Sequence, residues 1–340
     1  KARYLDRQTA AELAAYVSDT WRITDKLSFD AGIRYSQFVP TDGKQKKSYG
    51  GPEFRLSGKY SFTDNFSWKA GFNTMRQYIH MISNSVNISP TDTWTLSSDK
   101  IRPQTGWQAA TGLYWTFLDN TVDLSLEGYY KKVDHYIDYK SGAVLVMNEN
   151  LADDLFETQN RAYGVELMIK KNIGKLNGWI SYTYSRSMLR QSDPNAKELI
   201  NNGQWYSAPY DKPHDIKVVG NYKFTHRYSL SVNFDYSTGR PVTLPVGKYQ
   251  YAGGTRLVYS DRNSYRIPDY MRLDLAIIIE PGHYLKQLTH LSFTIGCYNV
   301  TGRKNPYSVF FTTNGGAAIS GHMLSVFATQ IPYVNFNLKF

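Results

Sequence analysis

The chain alternates apolar and polar residues, position by position, over stretches of ten or more, and few folds can use strands that long. Tyr228, Leu230, Val232, Phe234 and Tyr236 alternate with Ser229, Ser231, Asn233 and Asp235. Leu27, Phe29, Ala31, Ile33 and Tyr35 alternate with Ser28, Asp30, Gly32 and Arg34, and the pattern returns at Val122 to Lys131, Tyr163 to Lys170 and Met271 to Ile279. Successive side chains on a strand point to opposite faces, so each stretch has one apolar face and one wet face. A tyrosine-rich soluble sandwich would alternate too, but its strands usually stop after five or six residues. About ten residues is what a tilted strand needs to cross a bilayer. The final stretch, Val334 to Phe340, keeps the period and ends on an aromatic.

No run of 18 apolar residues occurs, so a membrane would be crossed by strands, and only a closed barrel satisfies every backbone group there. The expected class is therefore all-β, a transmembrane antiparallel up-and-down barrel. Aromatics make up 15% of the chain, with 28 tyrosines. Tyr35, Tyr60, Tyr130, Tyr184, Tyr222 and Tyr236 fall near strand ends, where such barrels carry their interfacial girdles. A net charge of +10 raises the question of nucleic acid, yet the basic residues are scattered over many strands. Lys44, Lys46 and Lys47 form one short cluster in a loop, which reads as solvated. Nucleic acid is discounted, and anionic lipopolysaccharide is the neighbour such charge could meet. Cys297 is the sole cysteine, which excludes an internal disulfide, and the 7 histidines never take metal-ligand spacing. No metal or other cofactor is expected.

The links between strands alternate in length. Short ones occur at Thr24-Asp25-Lys26, Asp64-Asn65, Leu118-Asp119-Asn120, Ile173-Gly174-Lys175, Thr225-His226 and Pro281-Gly282. Long polar ones cover roughly 39 to 52, 77 to 104, 139 to 160, 191 to 212, 241 to 267 and 302 to 322. Bacterial barrels have short periplasmic turns and long extracellular loops, which assigns the two sides. The scheme gives about thirteen strands, the first over Leu13 to Trp21. A complete single-chain barrel starts and ends in the periplasm and needs an even number. The odd count, and a polar opening segment at Lys1 without a signal peptide, predict the C-terminal part of a longer protein.

Ala15 to Leu27 followed by Ala31-Gly32-Ile33-Arg34-Tyr35 resembles a strand pair of TonB-dependent outer-membrane receptors. Cys297 to Pro306, around Asn299-Val300-Thr301-Gly302-Arg303-Lys304, is similar to a segment near the end of the same barrels. Further matches are Met75 to His80, Arg161 to Leu167, Gly178 to Ser185 and Tyr210 to Asp215, closest to the subgroup with an N-terminal carboxypeptidase-regulatory-like domain. The resemblance implies a barrel of twenty-two strands in a Gram-negative outer membrane, a plug folded inside it and a TonB box. Thirteen of the twenty-two would lie here, with plug and TonB box outside residues 1–340.

The alternation points Arg34, Lys59, Glu127, Glu166, Lys217, Asp235, Arg272 and Asp274 inward, where the resemblance implies contact with the plug. A porin lumen would look the same. The loops hold candidate ligand contacts in Tyr78, His80, Trp94, Trp205, Tyr206, Tyr249, Arg256 and His322, with Arg262 as a second cation for an anionic ligand. The cargo implied is a scarce nutrient such as an iron chelate, vitamin or oligosaccharide. Phe336, Leu338 and Phe340 form the expected signal for the barrel-assembly machinery, and relatives suggest a surface lipoprotein as a lid. A passive porin is the alternative. A barrel enzyme is the remote one, resting on His80 near Ser83 and Ser85, or His214 beside Asp211 and Asp215.

Overall fold

The computed structural model describes the chain except for residues 1–6, 83–92, 141–142, 144, 146–147, 192–198, 252–253, 282–289, 314–318, 327 and 340. Thirteen long strands follow one another in a single antiparallel sheet, each hydrogen-bonded to the next along the chain. They are β1 (Ala10–Arg22), β2 (Leu27–Pro40), β3 (Tyr49–Thr63), β4 (Phe66–Gln77), β5 (Gln104–Phe117), β6 (Val122–Tyr139) and β7 (Leu155–Lys171). There follow β8 (Leu176–Gln191), β9 (His214–Lys223), β10 (Tyr228–Ser237), β11 (Tyr270–Ile279), β12 (His290–Tyr298) and β13 (Ile331–Lys339). β1 and β13 form the two edges of the sheet. This is the expected up-and-down topology, with the expected count.

The register sorts the side chains. One row on a single face runs Phe66, Trp115, Leu124, Ile169, Ile180, Val218, Phe234 and Leu273 across neighbouring strands from β4 to β11. Three of these side chains, Trp115, Ile169 and Ile180, stay exposed in the chain, Ile180 at 50%, and the other five are half-buried. A contiguous apolar surface of that size has no place in water, and here it meets lipid. Cys297 stands in the same surface, opposite Leu275 and Pro332.

Aromatic belts bound this surface at both ends. Tyr60, Phe62, Phe66, Trp115 and Phe117 form a chain of ring contacts at centroid distances of 5.0 to 6.4 Å beside the short turns. Phe72, Trp107 and Tyr130 form a second belt toward the long loops, with centroids 6.1 and 5.5 Å apart. Two of the short turns share a device: Thr24 Oγ1 accepts the N–H groups of Lys26 and Leu27 at 3.2 and 3.0 Å, and Thr225 Oγ1 accepts those of Arg227 and Tyr228 at 3.1 and 3.2 Å.

The long links are less bare than expected. β6, β7 and β8 have 18, 17 and 16 residues, well beyond the roughly 10 that cross a bilayer, so their ends stand above the membrane and narrow the loops read from sequence. The loops also carry hairpins of their own: Ile79–Ile82 with Thr93–Leu96, Pro245–Tyr251 with Gly254–Tyr259, and Pro306–Thr313 with Ile319–Ser325. A short strand, Tyr206–Ser207, adds to the upper end of β8.

Candidate functional site

All eight residues expected to face inward share the polar face of the sheet. Arg34 lies opposite Glu53; Lys59 lies opposite Lys69; Glu127 lies opposite Glu166; and Asp235 lies between Lys217 and Arg272. One row therefore reads Lys59, Lys69, Gly112, Glu127, Glu166, Thr183 and Asp215, two cations side by side and then two carboxylates. Like charges directly opposite repel, so this row needs a wet surface or a complementary one. Elsewhere the charges pair locally. Arg34 reaches Glu12 at 3.2 Å and Glu53 at 3.9 Å, Lys217 reaches Asp215 at 3.4 Å, and Arg272 Nε donates to Asp274 at 2.7 Å. Such half-exposed pairs contribute little to stability and leave their charge available to a partner.

The eight candidate ligand contacts divide sharply. Tyr78 is 3% exposed, stacked on Phe38 with centroids 5.1 Å apart, and its hydroxyl shares a 2.8 Å hydrogen bond with Ser36. His80 is fully buried between Ser97 Oγ at 2.9 Å and the Gln104 amide at 3.1 Å, and burial pushes its pKa down to about 4. Tyr206 is 4% exposed and donates to Asp138, and that burial beside a carboxylate holds its phenol well above the usual range. These three pack the loops and are withdrawn from ligand. Trp205 is also displaced from its expected place: Arg161 and Arg190, both on the outer face of the sheet, lie over its ring at 4.1 and 4.7 Å. Trp94, Tyr249, Arg256 and His322 are exposed on loop hairpins. Tyr249 and Arg256 stand directly opposite each other, whereas Trp94 and His322 belong to other hairpins.

Arg262 is no free cation. It and Asp138 are each 6% exposed, paired at 3.0 Å, with a second Arg262 bond to the Tyr139 carbonyl at 2.8 Å. Asp211, whose side chain is wholly buried, accepts the Ser187 N–H at 2.6 Å and pairs with Arg266 and, at 3.4 Å, with Arg186. These two acids lock the segments 199–211 and 260–267 onto the tops of β6 and β8. Sequence reasoning missed both. Asp138 and Arg262 are 124 positions apart, and nothing in the local pattern links them. Among the described residues, no group of three His, Cys, Asp or Glu side chains could hold a metal ion.

A sheet with an apolar outer surface between two aromatic belts, a charged inner surface and loops knitted on one side is the wall of an outer-membrane β-barrel. Residues 2–300 match the family model described as TonB dependent receptor-like, beta-barrel, and the chain belongs to that family. No curated protein sequence matches it. Among solved structures it is similar to the ferric yersiniabactin uptake receptor FyuA from Yersinia pestis, at 16% identity and a TM-score of 0.59, over 98% of this chain and 46% of that one. It is similar to the siderophore receptor PiuA from Acinetobacter baumannii, at 15% identity and a TM-score of 0.61, over 97% and 43%. It also resembles the ferric-catecholate import receptor Fiu from E. coli K12, at 14% identity and a TM-score of 0.59, over 96% and 44%. The chain thus spans less than half the length of the receptors it matches. Its family places it in the outer membrane of a Gram-negative bacterium, among receptors rather than enzymes, and the rim His-Ser and His-Asp readings fall away.

Proposed function

We propose that this chain supplies the C-terminal part of the barrel of an active importer, which takes up a scarce, bulky nutrient using energy delivered through TonB. Family membership over residues 2–300 carries the reading. The inner row of paired like charges supports a plug rather than open water, because a folded plug can present acids to Lys59 and Lys69 and bases to Glu127 and Glu166. The plug and TonB box would lie outside residues 1–340. An iron chelate is the favoured cargo, since two of the similar receptors named above, FyuA and Fiu, are receptors for uptake of ferric complexes. Tyr249 and Arg256, exposed side by side, suit an aromatic, anionic chelate.

Uptake of radiolabelled iron chelates by cells carrying the full-length receptor tests this. Uptake should need TonB and collapse with the proton gradient; uptake that survives both losses would make the protein a passive porin. Two further partners follow from the same reading. A surface lipoprotein would cap the loops, and the assembly machinery would read Phe336, Leu338 and Phe340, of which Phe340 lies outside the described residues. Deleting Phe340 should lower the amount of inserted barrel without changing ligand affinity of the inserted fraction, and normal insertion of the truncated protein would refute that role.

A further inference from the structure

Two neighbouring short turns on the periplasmic side gather positive charge. Lys170 and Lys171 end β7 and Lys175 precedes β8, while Lys223 ends β9 and His226 and Arg227 precede β10. The first three short turns carry Asp25, Asp64 and Asp119 instead. The two basic turns lie side by side, since the Lys223 N–H donates to the Lys175 carbonyl at 2.7 Å.

The register divides these cations between the faces. Lys170 stands opposite Asp123 on the inner face, and Lys223 continues the inner series of Lys217 and Asn221. Lys171 belongs to the lipid face, opposite Val122 and Gly178. Among the described residues the lysines in ion pairs are Lys100, Lys132 and Lys217, so Lys171 and Lys175 have no carboxylate of their own. Asp123 is held on the inner face by Thr116 at 2.9 Å and Asn172 at 2.8 Å.

Beside Lys171 the lipid-facing wall has a bare strip. Gly178 and Gly220 are directly opposite each other there, and adjacent strands lie about 4.8 Å apart, so the strip is two strands wide. Lys171 and Val232 flank it, Leu176 and Tyr222 lie on its turn side, and Ile180 and Val218 lie deeper in the membrane. At Gly178, whose φ is 144°, an added Cβ would strike the Val219 carbonyl, whereas at Gly220 it would meet nothing within 4 Å. The strip is therefore fixed by the backbone on one strand and open on the other. Ile173, Leu176 and Phe224 are 54 to 61% exposed around it, which puts both turns at the lipid boundary rather than in open water. A lysine at that boundary carries its ammonium to the level of the headgroup phosphates. A soluble acidic peptide would use the lysines and leave the apolar strip uncovered.

We propose that Lys171 and Lys175, with the Gly178–Gly220 strip beside them, bind an anionic glycerophospholipid of the periplasmic leaflet, its phosphate on the lysines and an acyl chain along the strip. The site lies on the lipid face and is independent of the import reading, which concerns the inner face.

The full-length receptor, purified in neutral detergent, is titrated with phosphatidylglycerol, with phosphatidylethanolamine of the same acyl chains and with a tetraglutamate peptide, and bound molecules are counted by native mass spectrometry. Phosphatidylglycerol should bind most tightly, and Lys171→Gln/Lys175→Gln should weaken it by about tenfold or more. Lys170→Gln/Lys223→Gln removes the same charge from the inner face and should leave that binding unchanged. Gly220→Leu fills the strip without touching the lysines and should weaken both lipids. Lys171→Arg/Lys175→Arg keeps the charge, guards against a folding artefact, and should bind as the receptor does. Unchanged phosphatidylglycerol binding in Lys171→Gln/Lys175→Gln, or an equal loss in the inner-face variant, overturns the proposal. Tetraglutamate bound as tightly as phosphatidylglycerol would overturn the lipid assignment, and full lipid affinity in Gly220→Leu would overturn the acyl-chain seat.

Discussion

The membrane-spanning wall and the knitted upper ends of the same strands are stabilised in opposite ways. In the wall, charge stays on the wet face, ion pairs are partly exposed, and the outer face offers lipid an apolar row such as Val218, Phe234 and Leu273. Above it, charge goes inside: Asp138 and Arg262 bury each other, Asp211 is wholly buried, and His80 sits in the interior of its hairpin. A wall strand needs only its neighbours and its solvents, so its pattern is local. The upper region holds its long loops with two small apolar clusters, one around Ile82, Ile101, Ile137 and Leu155 and one around Leu189, Ile200, Tyr206 and Ala208, and with two buried acids.

The largest effect should come from the upper region. Arg262→Ala leaves Asp138 buried without its cation, and loss of one partner of a buried pair costs about 3–5 kcal/mol. Limited proteolysis of the folded receptor should then cut within 254–267 well before the wall is touched; unchanged resistance would break the contrast. Asp138→Leu/Arg262→Met, which removes both charges, should recover much of the loss.

Next comes the wall. Phe234→Arg puts a cation on the lipid face near the middle of β10 and should cost about 2–4 kcal/mol in barrel unfolding. Asn233→Arg, one residue away on the inner face and opposite Asp274, should be close to neutral. Equal costs would mean that the two faces do not differ.

His80 supplies a smaller, pH-dependent effect. Burial lowers its pKa from 6.5 to about 4, so between those values the opened hairpin binds protons that the folded one refuses. Stability of the hairpin is full above pH 6.5 and is lost progressively as pH falls toward 4, by about 2–3 kcal/mol. Hydrogen exchange of residues 79–82 and 93–97 at pH 7 and pH 4.5 reads this directly, and His80→Gln should flatten the dependence. Smallest of all, Lys217→Ala removes an exposed pair with Asp215 and should shift barrel stability by less than about 1 kcal/mol.

What could be read in advance follows the same division. Each wall strand is legible because its information recurs every second residue, and Tyr228 to Tyr236 alone defines both of its faces. The inward set from Arg34 to Asp274 follows from that parity. The loop residues do not obey a period. His80 and Tyr206 look like polar loop side chains in sequence, and only contacts with Ser97, Gln104 and Asp138 show that they are packed away. Trp205 reads as a stacking platform for cargo, and the addition of Tyr206–Ser207 to the edge of β8 turns it outward instead. Arg262 differs from Arg256 only in what folds over it.

The two-faced wall is tested most directly by nitroxide labels placed singly from Ser231 to Asp235 in the full-length receptor, in outer-membrane lipid and with Cys297 replaced by Ser. Collisions with oxygen, which concentrates in lipid, should peak at positions 232 and 234, and collisions with a water-soluble nickel complex should peak at positions 231, 233 and 235. Absence of alternation, or alternation in the opposite phase, would contradict the assignment of the lipid-facing and inner faces.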